Sequence, residues 1–157
     1  MDGVPAHRDG WPQRLANARS NRLGRNAVHP ARQRYGKHIL VDRTGKGQIV
    51  ETGVAPVFSP SRALFAAVEI SESGFGALNA FAVWQVLPIG VRQIGQIDEA
   101  MPSMADWRID RWAGETCIQL SALPLSAAPE SGVSRTRFAA RPRRGGWAVA
   151  RGACPSA

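Results

Sequence analysis

The 157-residue chain is predicted to be all-β, built of antiparallel, blade-like sheets or a small β-sandwich, with a basic, largely irregular N-terminal tail. Three observations predict it. From His38 onward, short apolar runs recur about every ten residues between Gly, Pro and Ser breaks. Residues 57–86, VFSPSRALFAAVEISESGFGALNAFAVWQV, read as a turn, an apolar run, a Gly/Ser-rich break and a second apolar run. That is the layout of two antiparallel strands and their loop. No sustained helical period crosses the body.

Residues 1–37 read as a tail, because Asn, Arg, Gly, Pro and Gln dominate and large apolar residues are few. Such a segment buries too little surface to offset its ordering entropy. One short helix is predicted at residues 12–23, PQRLANARSNRL, with Pro12 in its first turn. Two readings of the tail stay open, a native extension or a start-site artefact. Residues 38–150 are expected to form one domain, followed by a C-terminal tail at 151–157.

Within that domain, residues 38–42 (HILVD) and 48–52 (QIVET) flank a turn at Arg43-Thr44-Gly45-Lys46. Val57-Phe58 leads into the turn Ser59-Pro60-Ser61-Arg62, and residues 64–70 (LFAAVEI) form the next strand. After a loop with Gly74 and Gly76, residues 79–86 (NAFAVWQV) are apolar on both faces, as in a central strand covered on both sides. Pro88-Ile89-Gly90 turns into residues 91–97 (VRQIGQI). Residues 106–112 (DWRIDRW) alternate, with Trp107 and Ile109 on one side and Asp106, Arg108 and Asp110 on the other. Residues 115–123 (ETCIQLSAL) follow Ala113-Gly114. A last pair is expected at 135–140 and 146–150, joined by the basic loop Arg141-Pro142-Arg143-Arg144-Gly145. The predicted core is Phe65, Phe81, Val83, Trp84, Trp107, Ile109, Ile118 and Leu120.

Composition excludes several classes of function. The net charge of +8 is unevenly placed: residues 1–37 carry +6, residues 131–157 carry +6, and the body between them carries −4. The high pI therefore describes the ends and not the fold. No stretch reaches the roughly 18 apolar residues of a membrane span, and the first 30 residues hold no continuous apolar region of a secretory signal. The expected location is cytoplasmic by default, or outside the cell if the true N-terminus lies upstream. The two cysteines, Cys117 and Cys154, form no Cys-x-x-Cys pair that would suggest zinc. They would pair as one disulfide in an exported protein, or remain two separate thiols.

The run Val57-Phe58-Ser59-Pro60-Ser61-Arg62-Ala63-Leu64-Phe65-Ala66 resembles the hairpin of a β-propeller blade of the WD40-like or PD40 type. In such blades a Phe-Ser-Pro-Asp-Gly turn precedes one strand, and a Trp-containing strand follows. Ala82-Val83-Trp84-Gln85-Val86 is similar to that later strand, and the stretch from Asp106 to Leu120 is similar to the next blade's inner hairpin. The resemblance covers residues 38–123. Ser61-Arg62 stands where Asp-Gly is usual, and no Gly-His or Trp-Asp dipeptide occurs. A closed propeller has at least four blades, and a blade takes about 40–45 residues. The resemblance implies interaction surfaces and no particular activity.

No catalytic, cofactor or metal signature is predicted. Thr44-Gly45-Lys46-Gly47 lacks the remaining glycine, the hydroxyl and the following helix of a phosphate loop. His7, His29 and His38 have no Cys, Asp or Glu at ligand spacing. Asp106 and Asp110 flank Arg108 and read as a solvated charge ladder. The remaining signal is basic. Arg141, Arg143 and Arg144 lie beside Trp147, and guanidinium forks match phosphates while an indole stacks on bases. Arg14, Arg19, Arg22 and Arg25 would form a second strip. The expected function is a non-catalytic binding module, without a cofactor. Its expected partner is a protein, including a second copy through open sheet edges. The alternative is an electrostatic nucleic-acid-binding protein that uses its Arg-rich ends. An Arg-rich composition that merely solvates loops would produce the same pattern.

Overall fold

The computed structural model describes residues 28–34, 37–71, 76–126 and 132–156. Among the described residues, eleven antiparallel strands form three meander sheets and no helix occurs. The N-terminal sheet holds β1 (Val28–Arg34), β2 (Lys37–Asp42) and β3 (Gln48–Gly53) in that order. The middle sheet holds β4 (Val57–Phe58), β5 (Leu64–Glu69), β6 (Ala80–Val86) and β7 (Val91–Ile97), again in sequence order. The C-terminal sheet holds β8 (Ala105–Ala113), β9 (Cys117–Leu123), β10 (Thr136–Arg143) and β11 (Gly146–Arg151), in the order β11-β10-β9-β8.

The sheets stack face to face with the middle sheet between the other two. The pleat explains this. Along β5 and β6, Phe65, Ala67, Ala82 and Trp84 point toward Leu40 and Val50 of the N-terminal sheet. The alternate residues Ala66, Val68, Phe81 and Val83 point toward Trp107, Ile118, Leu120 and Phe138 of the C-terminal sheet. Strand β6 is thus buried on both faces, which is why its sequence carries no polar face. Phe65 lies directly opposite Trp84 across the β5–β6 pair, and their rings stack with centroids 5.1 Å apart. Ile109 is half-buried at the edge of the larger core.

The structure departs from the expected organisation at three places. Strand β1 lies within the segment read as tail, and pairs with β2 from Val28↔Asp42 to Arg34↔Lys37. The predicted helix at residues 12–23 and the Arg14–Arg25 strip lie outside the described residues. In β8 the simple alternation fails. Trp107 and Trp112 stand five positions apart, yet both enter the same core. Register shifts between Ala105 and Arg108, and between Ile109 and Arg111, supply the extra residues that turn Trp112 inward. Finally, Arg141, Pro142 and Arg143 belong to β10 and not to a loop, because the pair Arg143↔Gly146 leaves only Arg144-Gly145 for the turn. Strand β9 pairs with β10 no further than Ala140, so Pro142 occupies an edge position that tolerates its missing N–H.

Cys117 and Cys154 form a disulfide across 37 positions, which resolves the alternatives left open by the sequence.

Candidate polyanion-binding surface

The candidate surface is the outer face of the C-terminal sheet together with the tip of the β10–β11 hairpin. The alternation along β10 builds it. Phe138 and Ala140 face the core, while Ala139 faces the disulfide on the opposite side. Arg137, Arg141 and Arg143 share the parity of Ala139 and therefore face outward. Arg141 and Arg143 are about 7 Å apart along the strand, and Arg137 lies about 14 Å before Arg141. On β8, Arg111 pairs with Gln119, and Arg108 with Ser121, which adds both to the outer face.

The charges on this face are only partly compensated. Asp106 takes a bidentate pair from Arg108, with Nη2 at 2.7 Å, and a bond from Arg135 Nη1 at 2.6 Å. Arg135 also donates to the Asp106 carbonyl, and through Nε to Ser121 Oγ at 2.9 Å. Ser121 in turn donates to Asp110 at 2.8 Å. Partial burial pushes the Asp106 carboxyl up, but the bonds from Arg135 and Arg108 outweigh it and hold the group below the ordinary aspartate range. Asp106 and Asp110 thus do not share Arg108: each has its own partners. Arg111, Arg137, Arg141, Arg143 and Arg144 have no carboxylate partner among the described residues.

At the hairpin tip the turn Arg144-Gly145 requires positive φ at its second residue, and Gly145 supplies it at 88°. Trp147 lies opposite Pro142 and so faces inward. Its ring meets the Trp112 ring edge-on at 6.0 Å. It also covers Gly95 of β7 so closely that a Cβ there would sit 2.6 Å from Trp147 Cδ1. Trp147 is a wedge between two sheets, half-buried, with part of its surface left to an open groove. That groove has a volume of about 390 Å³ and lies between Gly95-Gln96 and the hairpin from Arg143 to Trp147.

Of the four residues singled out from the sequence, Arg143, Arg144 and Trp147 border this groove at the hairpin tip, and Arg141, on the same outward parity as Arg143, donates to the Ala153 carbonyl at 3.1 Å. Arg111 and Arg137 were missed. The signal for Arg137 was the odd parity it shares with 141 and 143, legible only once β10 is known to reach Arg143; Arg111 joins through the pairing of β8 with β9.

Elsewhere, Thr44-Gly45-Lys46-Gly47 is a tight turn, organised by the buried Asp42 carboxylate accepting from Thr44 N–H at 2.9 Å and from Thr44 Oγ1 at 2.8 Å. Thr44 Oγ1 also accepts from Gly90 N–H at 2.8 Å, tying the turn to the middle sheet. Among the described residues, no three His, Cys, Asp or Glu side chains converge on a shared point.

Comparison with protein-family models, with curated proteins and with solved structures finds no match to this chain.

Proposed function

We propose that the protein is a non-catalytic binding module whose blade-like sheets present an arginine surface to the phosphate backbone of a nucleic acid. One observation carries this reading. Arg111, Arg137, Arg141 and Arg143 share one sheet face without a carboxylate partner among the described residues, and Arg144 adjoins them at the hairpin tip. Like charges held this close repel one another, and a polyanion relieves that repulsion while releasing its own counterions. A row of guanidinium forks on a rigid strand suits a linear chain of phosphates better than a compact anion. The four-strand meander of the middle and C-terminal sheets is the strand order of a propeller blade, a scaffold that serves binding.

The test is the affinity of a labelled oligonucleotide as a function of salt. Replacing Arg137, Arg143 and Arg144 together by Ser should weaken binding and flatten the salt slope by about 2–3, at roughly 0.9 per phosphate contact. All three are exposed, so the fold should survive. A folded triple variant with unchanged affinity and slope would remove the reading.

A second reading rests on a separate observation. Strands β7 and β11 are edge strands of neighbouring sheets. Their edges offer a partner protein, or a second copy, a place to add a strand. Concentration-dependent association that is insensitive to salt would favour it.

A further inference from the structure

We propose that residues 152–156 are a built-in cover over the arginine face, latched by the Cys117–Cys154 disulfide, and that reduction opens the face to the same polyanionic partner. The proposal rests on the nucleic-acid reading above and adds its regulation.

After β11 the chain bends at Gly152 and runs back across the outer face of its own sheet. Gly152 N–H donates to the Arg137 carbonyl at 3.0 Å. The buried Gln119 then holds the segment by its main chain. Its Oε1 accepts from Cys154 N–H at 2.8 Å, and its Nε2 donates to the Phe138 carbonyl at 2.8 Å and to the Gly152 carbonyl at 3.4 Å. On either side, Arg141 donates to the Ala153 carbonyl at 3.1 Å and Arg111 to the Pro155 carbonyl at 3.3 Å. Two of the four outward guanidinium groups without a carboxylate partner are thus engaged by neutral carbonyls. Phosphate oxygens are the stronger acceptors for both, since such bonds are charge-assisted on each side.

The segment covers the sheet without building it. The main core lies on the opposite face of the C-terminal sheet. The segment contacts a separate small cluster of Cys117, Ala139 and Cys154 with Ala113. The ladder from β8 to β11 is complete without it. Ala153, Pro155 and Ser156 are exposed, while both cysteines are buried. Attack on the disulfide therefore waits on lifting of residues 152–156, a local opening of a segment with few buried apolar contacts. One thiolate of a dithiol then bonds to Cys154 Sγ, and Cys117 leaves as its thiolate. The second dithiol sulfur displaces Cys154 from the mixed disulfide. The products are two cysteine thiols and one oxidised dithiol, with two electrons and two protons transferred.

The experiment measures oligonucleotide affinity against salt for the oxidised protein and for protein reduced with dithiothreitol. Reduction should steepen the salt slope by about 2, because Arg111 and Arg141 each gain a phosphate at roughly 0.9 per contact. Cys154→Ser without dithiothreitol should show the steeper slope as well, and Arg111→Gln in the reduced protein should remove about one unit of the gain. Slopes unchanged by reduction and by Cys154→Ser overturn the cover while leaving the arginine surface standing. Binding by neither form removes the arginine surface, and the cover with it. If the reduced protein loses its near-ultraviolet tryptophan dichroism, a chain ending at Arg151 and carrying Cys117→Ser takes its place. Failure of that chain to fold would make the segment part of the body and overturn the proposal.

Discussion

Trp112 Nε1–H on β8 donates to the Val57 carbonyl on β4 at 3.0 Å, across the boundary between the C-terminal and middle sheets. The indole thereby fills the core and ties the C-terminal sheet to edge strand β4 of the middle sheet. Trp112→Phe keeps most of the ring and removes the donor. Losing that inter-sheet bond should cost about 0.5–1.5 kcal/mol, read as a lower urea midpoint with unchanged m-value. A midpoint equal to the parent's would show that water serves the carbonyl equally well.

Trp84 is 4% exposed and stacks on Phe65, its direct cross-strand partner, in the smaller core. Trp84→Ala should destabilise the protein by about 3–5 kcal/mol, through lost burial and the cavity left behind. Loss of under about 1 kcal/mol in denaturant titration would mean that the N-terminal sheet does not close over this position.

Arg62 occupies φ of 61°, the left-handed region, in the turn between β4 and β5. The guanidinium lies 5.2 Å from the Phe58 ring centroid, which returns part of the strain. Arg62→Gly should therefore stabilise the fold by about 0.5–1 kcal/mol net. Thermal unfolding at or below the parent's midpoint would show that the cation–π contact outweighs the backbone strain.

Asp106 and Glu115 both titrate below their ordinary values of 3.8 and 4.5. At Glu115 slight burial pushes upward, but Ser61 N–H, at 2.8 Å, and the hydroxyls of Ser59 and Ser61 prevail. A depressed folded-state pKa contributes stability that is fully present above the unfolded-state value and is lost as pH falls through the folded one. Stability should accordingly decline below about pH 5. Asp106→Asn and Glu115→Gln should each decline less steeply than the parent over that range. Both side chains are in part solvated, so the differences will be small. Parallel pH profiles for parent and variants would show that neither carboxylate carries the acid response.

Local patterning determined the all-β class and the bounds of most strands from His38 on. Apolar runs of strand length between Gly, Pro and Ser breaks admit no other regular structure. The two-faced apolarity of residues 79–86 marked a strand covered on both sides, as β6 is. Tertiary structure alone decided the rest. Strand β1 lacks an apolar signature and shows itself only by pairing with β2. Trp112 turns inward through register shifts, which depend on the partner strand and leave no mark in the period of β8. Arg111 joins Arg137, Arg141 and Arg143 only because sheet order places β8 and β10 on either side of β9. The union of Cys117 with Cys154 depends likewise on the segment after β11 folding back over its own sheet. Periodicity reports which face a residue takes within its strand. Which faces meet, and which charges become neighbours, depends on pairings between residues far apart in the chain.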